Sequence, residues 1–199
     1  MGLSKEYHDR MTLHMDNFAF MFVQVQQETD LLGIPLPSNE PAFVLVIIIH
    51  IALSLVAVIS GIVAMSKEKN AHGHATFGRI YYWSICLAFA TVLVLSIMRW
   101  PHNIHLLSIG IATTILVLIG RNLAETKKKN WARLHTICMG GSYILLLTGF
   151  YVDNGKNLPF WNQFPQWFFW FFPATVGIPI IVRVLKKHPL TRMRKGDIQ

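Results

Sequence analysis

The stretch Ala42–Met65 reads AFVLVIIIHIALSLVAVISGIVAM, with no charged side chain from end to end. A run of this length and composition is what a helix needs to cross about 30 Å of hydrocarbon. A helix packed in a soluble bundle carries a polar stripe, and this one has none. Four further runs resemble it: Phe77–Met98, with a preceding turn from Ala71, then Ile104–Gly120, His135–Val152 and Trp167–Val182. The sequence therefore predicts an all-α integral membrane helix bundle of five transmembrane helices: a histidine-bearing core of four, plus one.

Composition agrees. Of the 199 residues, 53% are hydrophobic and only 14% charged, whereas soluble domains carry about a quarter charged residues. The mean hydropathy is +0.42. The formal net charge of +8 does not point to nucleic acid, because the basic residues lie between or after the apolar runs, where topology signals sit. Cys86 and Cys138 fall inside apolar runs with no metal-type spacing and read as small apolar fillers. The first 17 residues mix Lys5, Glu6, Asp9, Arg10 and Asp16, and Phe18–Val23 is too short for a signal core, so no cleavable signal is expected.

The connections Ser66–Gly73, Arg99–Asn103, Arg121–Arg133 and Asp153–Gln166 are short, which makes neighbouring helices antiparallel. Lys67, Lys69, Arg79, Arg121, Lys127–Lys129, Arg133 and the basic residues after Val182 then share one side, and Lys5, Arg10, Arg99 and Lys156 the other. The positive-inside rule puts the N-terminus outside and the C-terminus in the cytoplasm. The expected organisation is an extracytoplasmic segment (1–41), a four-helix membrane core (42–152), an outer loop with the fifth helix (153–184) and a basic cytoplasmic tail (185–199). Within the first segment, Tyr7–Leu32 reads as a surface helix. Trp161, Trp167 and Trp170 mark an aromatic belt at the outer end of the fifth helix, which Pro173 and Pro179 kink.

The histidines carry the functional signal. Ionisable residues at membrane depth are costly and usually have a task. His50, His74, His105 and His135 fall one to a helix and alternate in depth: outer, inner, outer, inner. Helices one and three, and two and four, are diagonal in a four-helix bundle, so the pairs His50/His105 and His74/His135 can each grip both faces of a flat macrocycle. Haem fits this better than zinc, which wants three or four protein ligands close together. Small residues flank the histidines: Ser54, Ala57 and Gly61 below His50, Gly78 after His74, Ser108 and Ala112 after His105. Arg99 is placed for an outer propionate, and Arg79 and Arg133 for an inner one.

This four-histidine alternation resembles the ascorbate-reducible two-haem cytochrome b family, whose members pair histidines from alternate helices. Separately, His74-Ala-Thr-Phe-Gly78-Arg79-Ile80-Tyr81 resembles the His-x-x-x-Gly-Arg-x-Tyr segment of an uncharacterised family of predicted bacterial membrane proteins. Together the resemblances cover about residues 43–152. The first implies one or two haem b groups on His50, His105, His74 and His135, with electrons passing between a quinone pool or another redox partner and an acceptor. The bland alternative is a cofactor-free accessory or structural subunit held by other membrane subunits, its helix-end histidines wet in the headgroup layer. Metal-ion handling through His102 and His105 ranks below both, since no acidic or thiolate ligand lies inside the spans. There is no nucleophile–base pair, phosphate loop or nucleic-acid signature.

Overall fold

A computed structural model describes residues 29–31, 34–36, 40–67, 72–187 and 191. They divide between Val44 and Leu45 into two compact units. In the first unit Thr29–Leu31 (β1) pairs antiparallel with Ile34–Leu36 (β2), with Asp30 opposite Pro35. The surface helix expected over Tyr7–Leu32 lies mostly outside the described residues, and Thr29–Leu31 within it is extended rather than helical. The Asp30–Leu36 stretch carries Gly33 and Pro35, which favour a turn over a helix.

The second unit is the membrane bundle. Among the described residues five helices are long and apolar enough to span a bilayer: α1 (Pro41–Ser66), α2 (His72–Met98), α3 (Ile104–Thr126), α4 (Trp131–Asn154) and α5 (Gln166–Lys187). In hydrocarbon every backbone N–H and C=O must be satisfied within its own segment, and a helix does this at any side-chain composition. The bundle is accordingly apolar outside and small or hydroxylic inside. On α1, Ile51, Leu55, Ile59 and Ile62 are exposed, while Ala57, Ser60, Gly61 and Ala64 are buried. Small residues let helices approach where lipid and core are equally apolar.

Two helices outrun their apolar runs. α3 continues six residues past Gly120 to Thr126, where an exposed Arg121–Glu125 ion pair spans one turn at 2.7 Å. It stops at Lys127 in the left-handed conformation (φ 48°), and α4 starts after Asn130 in the same region (φ 61°). The connection expected at Arg121–Arg133 thus shrinks to residues 127–130, and α3 and α4 are the most closely paired helices of the bundle. At its far end α4 runs on through Asp153, which apolar content alone assigns to the loop.

The core gathers Ala57 from α1, Tyr81 and Ile85 from α2 and Val117 from α3, with Met139, Tyr143 and Leu146 of α4 against them. Tyr143 donates to the Val58 carbonyl of α1 at 3.2 Å. Across the centre the Tyr81 hydroxyl meets Ser142 Oγ at 2.9 Å, and Ser142 donates onward to the Met139 carbonyl at 2.8 Å. α5 packs chiefly on α4 and the residue just past it, through the close approaches Gly140–Ile181, Gly155–Phe169 and Gly177–Ile144. It carries Pro173 and Pro179 within its length.

Candidate functional site

The bundle has two chemically different ends. The basic end carries the α1–α2 and α3–α4 connections and the C-terminus of α5. The aromatic end carries the α2–α3 turn and residues 155–165.

At the basic end, α2 and α4 bring His74 and His135 together. Their ring centres lie 6.3 Å apart with the planes at 74°. His74 Nδ1–H donates to the Ala64 carbonyl of α1 at 2.8 Å, and His135 Nδ1–H donates to the Gly120 carbonyl of α3 at 2.7 Å. A carbonyl can only accept, so each bond puts a proton on Nδ1, and in the neutral ring the lone pair is then on Nε2. Imidazoles that ligate metals are commonly held this way, by an Nδ1–H bond to a carbonyl behind them. Both rings are half-buried. Trp131 stands beside His135, ring centres 6.4 Å apart. Of the arginines expected nearby, Arg79 is exposed and Arg133 half-buried. Arg121, read in the sequence only as a topology signal, stacks its guanidinium 4.2 Å from the centre of the Tyr82 ring.

At the aromatic end, His50 and His105 are not arranged as that pair is. His50 Nδ1–H donates to Thr91 Oγ1 of α2 at 2.8 Å, and Thr91 donates to the Ala88 carbonyl at 2.6 Å. Ser54 Oγ reaches His50 Nε2 from one turn below at 3.4 Å. His105 faces α5, its ring centre 6.3 Å from that of Trp170. Asp153, near the C-terminal end of α4, is exposed at this end of the bundle, with the charges of His105, His50 and Arg99 within electrostatic reach. Sequence reasoning missed Asp153, Thr91 and the Trp170 contact. The signal for Asp153 was present, since it is the one acid beside the fourth apolar run, but placing it in the loop removed it from the bundle.

Around this end Tyr151, Trp161, Phe164, Phe168 and Phe172 form a continuous aromatic cluster, with Trp161 and Phe172 4.9 Å and Phe164 and Phe168 4.5 Å apart. Among the described residues no three His, Cys, Asp or Glu side chains come together as a cage for a metal ion. His102, the other half of the metal-handling idea, is exposed.

Comparison with family models matches residues 47–185 to the predicted membrane protein family DUF2306. The chain belongs to that family. The match covers all five spanning helices, α5 included, so the fifth helix is part of the family's common architecture. No curated protein and no solved structure matches the chain. The family supports a multi-pass protein of the lipid bilayer. Its description assigns no chemistry, so the site must carry the functional reading.

Proposed function

We propose that this protein is a b-type cytochrome-like electron-transfer protein that holds one haem between His74 and His135, with its N-terminus outside and its basic end in the cytoplasm. The observation that carries the reading is the ring geometry of that pair. Two imidazoles on opposite faces of one iron, each with a metal–nitrogen bond of about 2 Å, have ring centres about 6 Å apart. His74 and His135 stand at 6.3 Å, and both rings are oriented from behind by a carbonyl. The donor set therefore fits a bis-imidazole iron. Such a haem, when bound, would supply a six-coordinate centre suited to moving single electrons rather than binding oxygen. The chain's part is to fix the two lone pairs, to keep the rings in one tautomer and to offer Arg133 and Arg79 at the membrane edge for carboxylates. His50 and His105 are left out of this haem because their rings answer to Thr91, Ser54 and Trp170.

The test is an absorption spectrum. Protein purified after expression with ample haem is expected to show a reduced-minus-oxidised spectrum of low-spin haem. His74→Ala and His135→Ala should each abolish it, while His72→Ala and His102→Ala should leave it. A colourless wild-type protein overturns the proposal.

One observation favours a second reading. The Nδ1 bonds of His50, His74 and His135 each staple one helix to another, which is a sufficient role in a cofactor-free subunit of a larger membrane complex. Stable partners co-purifying with a colourless chain from native membranes would favour it. The orientation is tested separately. A cysteine placed at Lys128 should react with an impermeant maleimide only after the membrane is opened.

A further inference from the structure

We infer that the basic end of the bundle binds the head groups of anionic phospholipids, at a site built where the α3–α4 turn meets the last turn of α5. The inference goes beyond the electron-transfer reading and does not depend on it. The turn, residues 127–130, is three lysines and an asparagine, and all four are exposed. Lys127 and Asn130 at its two ends are both in the left-handed conformation, and the Trp131 N–H donates to the Lys128 carbonyl across it at 2.9 Å. A turn closed in this way between two packed helices displays Lys127, Lys128 and Lys129 at a fixed place. α5 brings a second group. Gly140 lies against Ile181, and Gly177 against Ile144, which sets the antiparallel register of α4 and α5. In that register Lys187 falls level with Leu134 and Lys186 with His135, about one turn from the start of α4. Both lysines are exposed. Five lysines from two segments far apart in sequence thus gather at one level of the bundle.

Little nearby cancels this charge. Between Ile104 and Gly196 the chain has two acids, Glu125 and Asp153. Glu125 is already engaged by Arg121 at 2.7 Å, and Asp153 belongs to the aromatic end. Among the described residues none of the five lysines has a carboxylate partner. Like charges held together repel, and an anion seated among them relieves the repulsion. The surroundings say which anion. Toward the hydrocarbon from the lysines, the same two helices turn apolar side chains outward. Leu134 and Ile137 on α4 are 43% and 41% exposed, and Ile180 and Val182 on α5 are 56% and 39% exposed. Trp131, half-buried at the junction, is the kind of amphipathic side chain that sits at head-group level. A soluble phosphate would use the lysines alone. A ligand negative at one end and apolar along the rest uses both surfaces, and basic clusters beside spanning helices are recognition elements for anionic lipid. The five lysines are separate from Arg79 and Arg133, which flank the histidine pair.

The experiment melts the full chain in dodecyl maltoside, followed by tryptophan fluorescence, with dioleoyl phosphatidylglycerol or dioleoyl phosphatidylcholine added. A ligand that binds only the folded form raises the melting midpoint. The expected result is a saturable rise with phosphatidylglycerol that phosphatidylcholine does not match and that high salt weakens by screening. Lys127→Gln, Lys128→Gln and Lys129→Gln combined, or Lys186→Gln with Lys187→Gln, should each lower the apparent affinity for phosphatidylglycerol about tenfold or more. Arginine at the same positions keeps the charge and should retain the rise, which guards against a misfolded glutamine variant. Lys156→Gln, at the aromatic end, should leave the rise unchanged. Equal effects of the two lipids, or a phosphatidylglycerol effect indifferent to either glutamine set, overturns the inference. So does an equal rise with glycerol phosphate at the same concentration, which would identify a soluble phosphate as the ligand. The readout needs no haem, so the two readings fail separately. A colourless protein with the lipid response sinks the haem reading alone, and a haem-loaded protein without it sinks this one alone.

Discussion

The basic and aromatic ends of the bundle use the same side chain in different ways. At the basic end two histidines from α2 and α4 face one another, each braced by a carbonyl from a third helix. At the aromatic end two histidines from α1 and α3 are turned aside, one to Thr91 and the other to Trp170. The difference has a local cause. Ala64 and Gly120 are buried, small residues near the ends of α1 and α3, and their carbonyls face a neighbouring helix closely enough to take an imidazole N–H. Near the other end α2 offers a hydroxyl instead, and Thr91 draws His50 toward itself. The same residue type thus gives an edge-on pair of imidazoles in one place and two separately engaged rings in the other.

Four predictions probe that contrast. The largest expected effect is at the basic pair, where His74→Ala or His135→Ala should abolish the low-spin spectrum outright while His50→Ala leaves it. Equal loss from all three would erase the distinction between the ends. Next is Gly155→Ala at the aromatic end. A Cβ there would stand 2.6 Å from the Phe169 ring, which is fully buried and has nowhere to go, so thermal unfolding in detergent should show a loss of about 1–3 kcal/mol, the usual cost of overpacking. Between the ends, Tyr81→Phe removes the hydroxyl that meets Ser142 and should cost about 0.5–1.5 kcal/mol. In a double-mutant cycle with Ser142→Ala, coupling between the two would confirm the bond as the source. The smallest effect belongs to Glu125→Gln, which breaks an exposed one-turn ion pair. No shift in the melting curve is expected, and a large one would mean that the α3–α4 turn depends on this pair.

Much of the fold was legible in the sequence because the bilayer is a demanding solvent. Five uncharged or nearly uncharged runs leave the backbone one option, and the five helices fall where those runs are. Helix ends were less legible. Apolar content stops at Gly120 and Val152, yet α3 and α4 continue, because past the hydrocarbon a helix needs no apolar side chains and hydropathy no longer marks where it ends. That error hid Asp153.

The site was half legible. One histidine per helix at alternating depth could be counted from the sequence, and the pairing of His74 with His135 follows from it together with antiparallel packing. The different fate of His50 and His105 could not be counted. It depends on helix rotation, which is set where Ala57, Gly61 and Tyr143 pack and where Tyr81 meets Ser142. Rotation by a fraction of a turn leaves a residue's depth unchanged and redirects its ring. By itself the sequence determined the five helices long and apolar enough to span a membrane among the described residues, and where along its helix each histidine lies, since both depend only on distance along the chain. Only the tertiary structure decided which histidines face each other, because facing is an angle about the helix axis, and close packing of small residues fixes that angle.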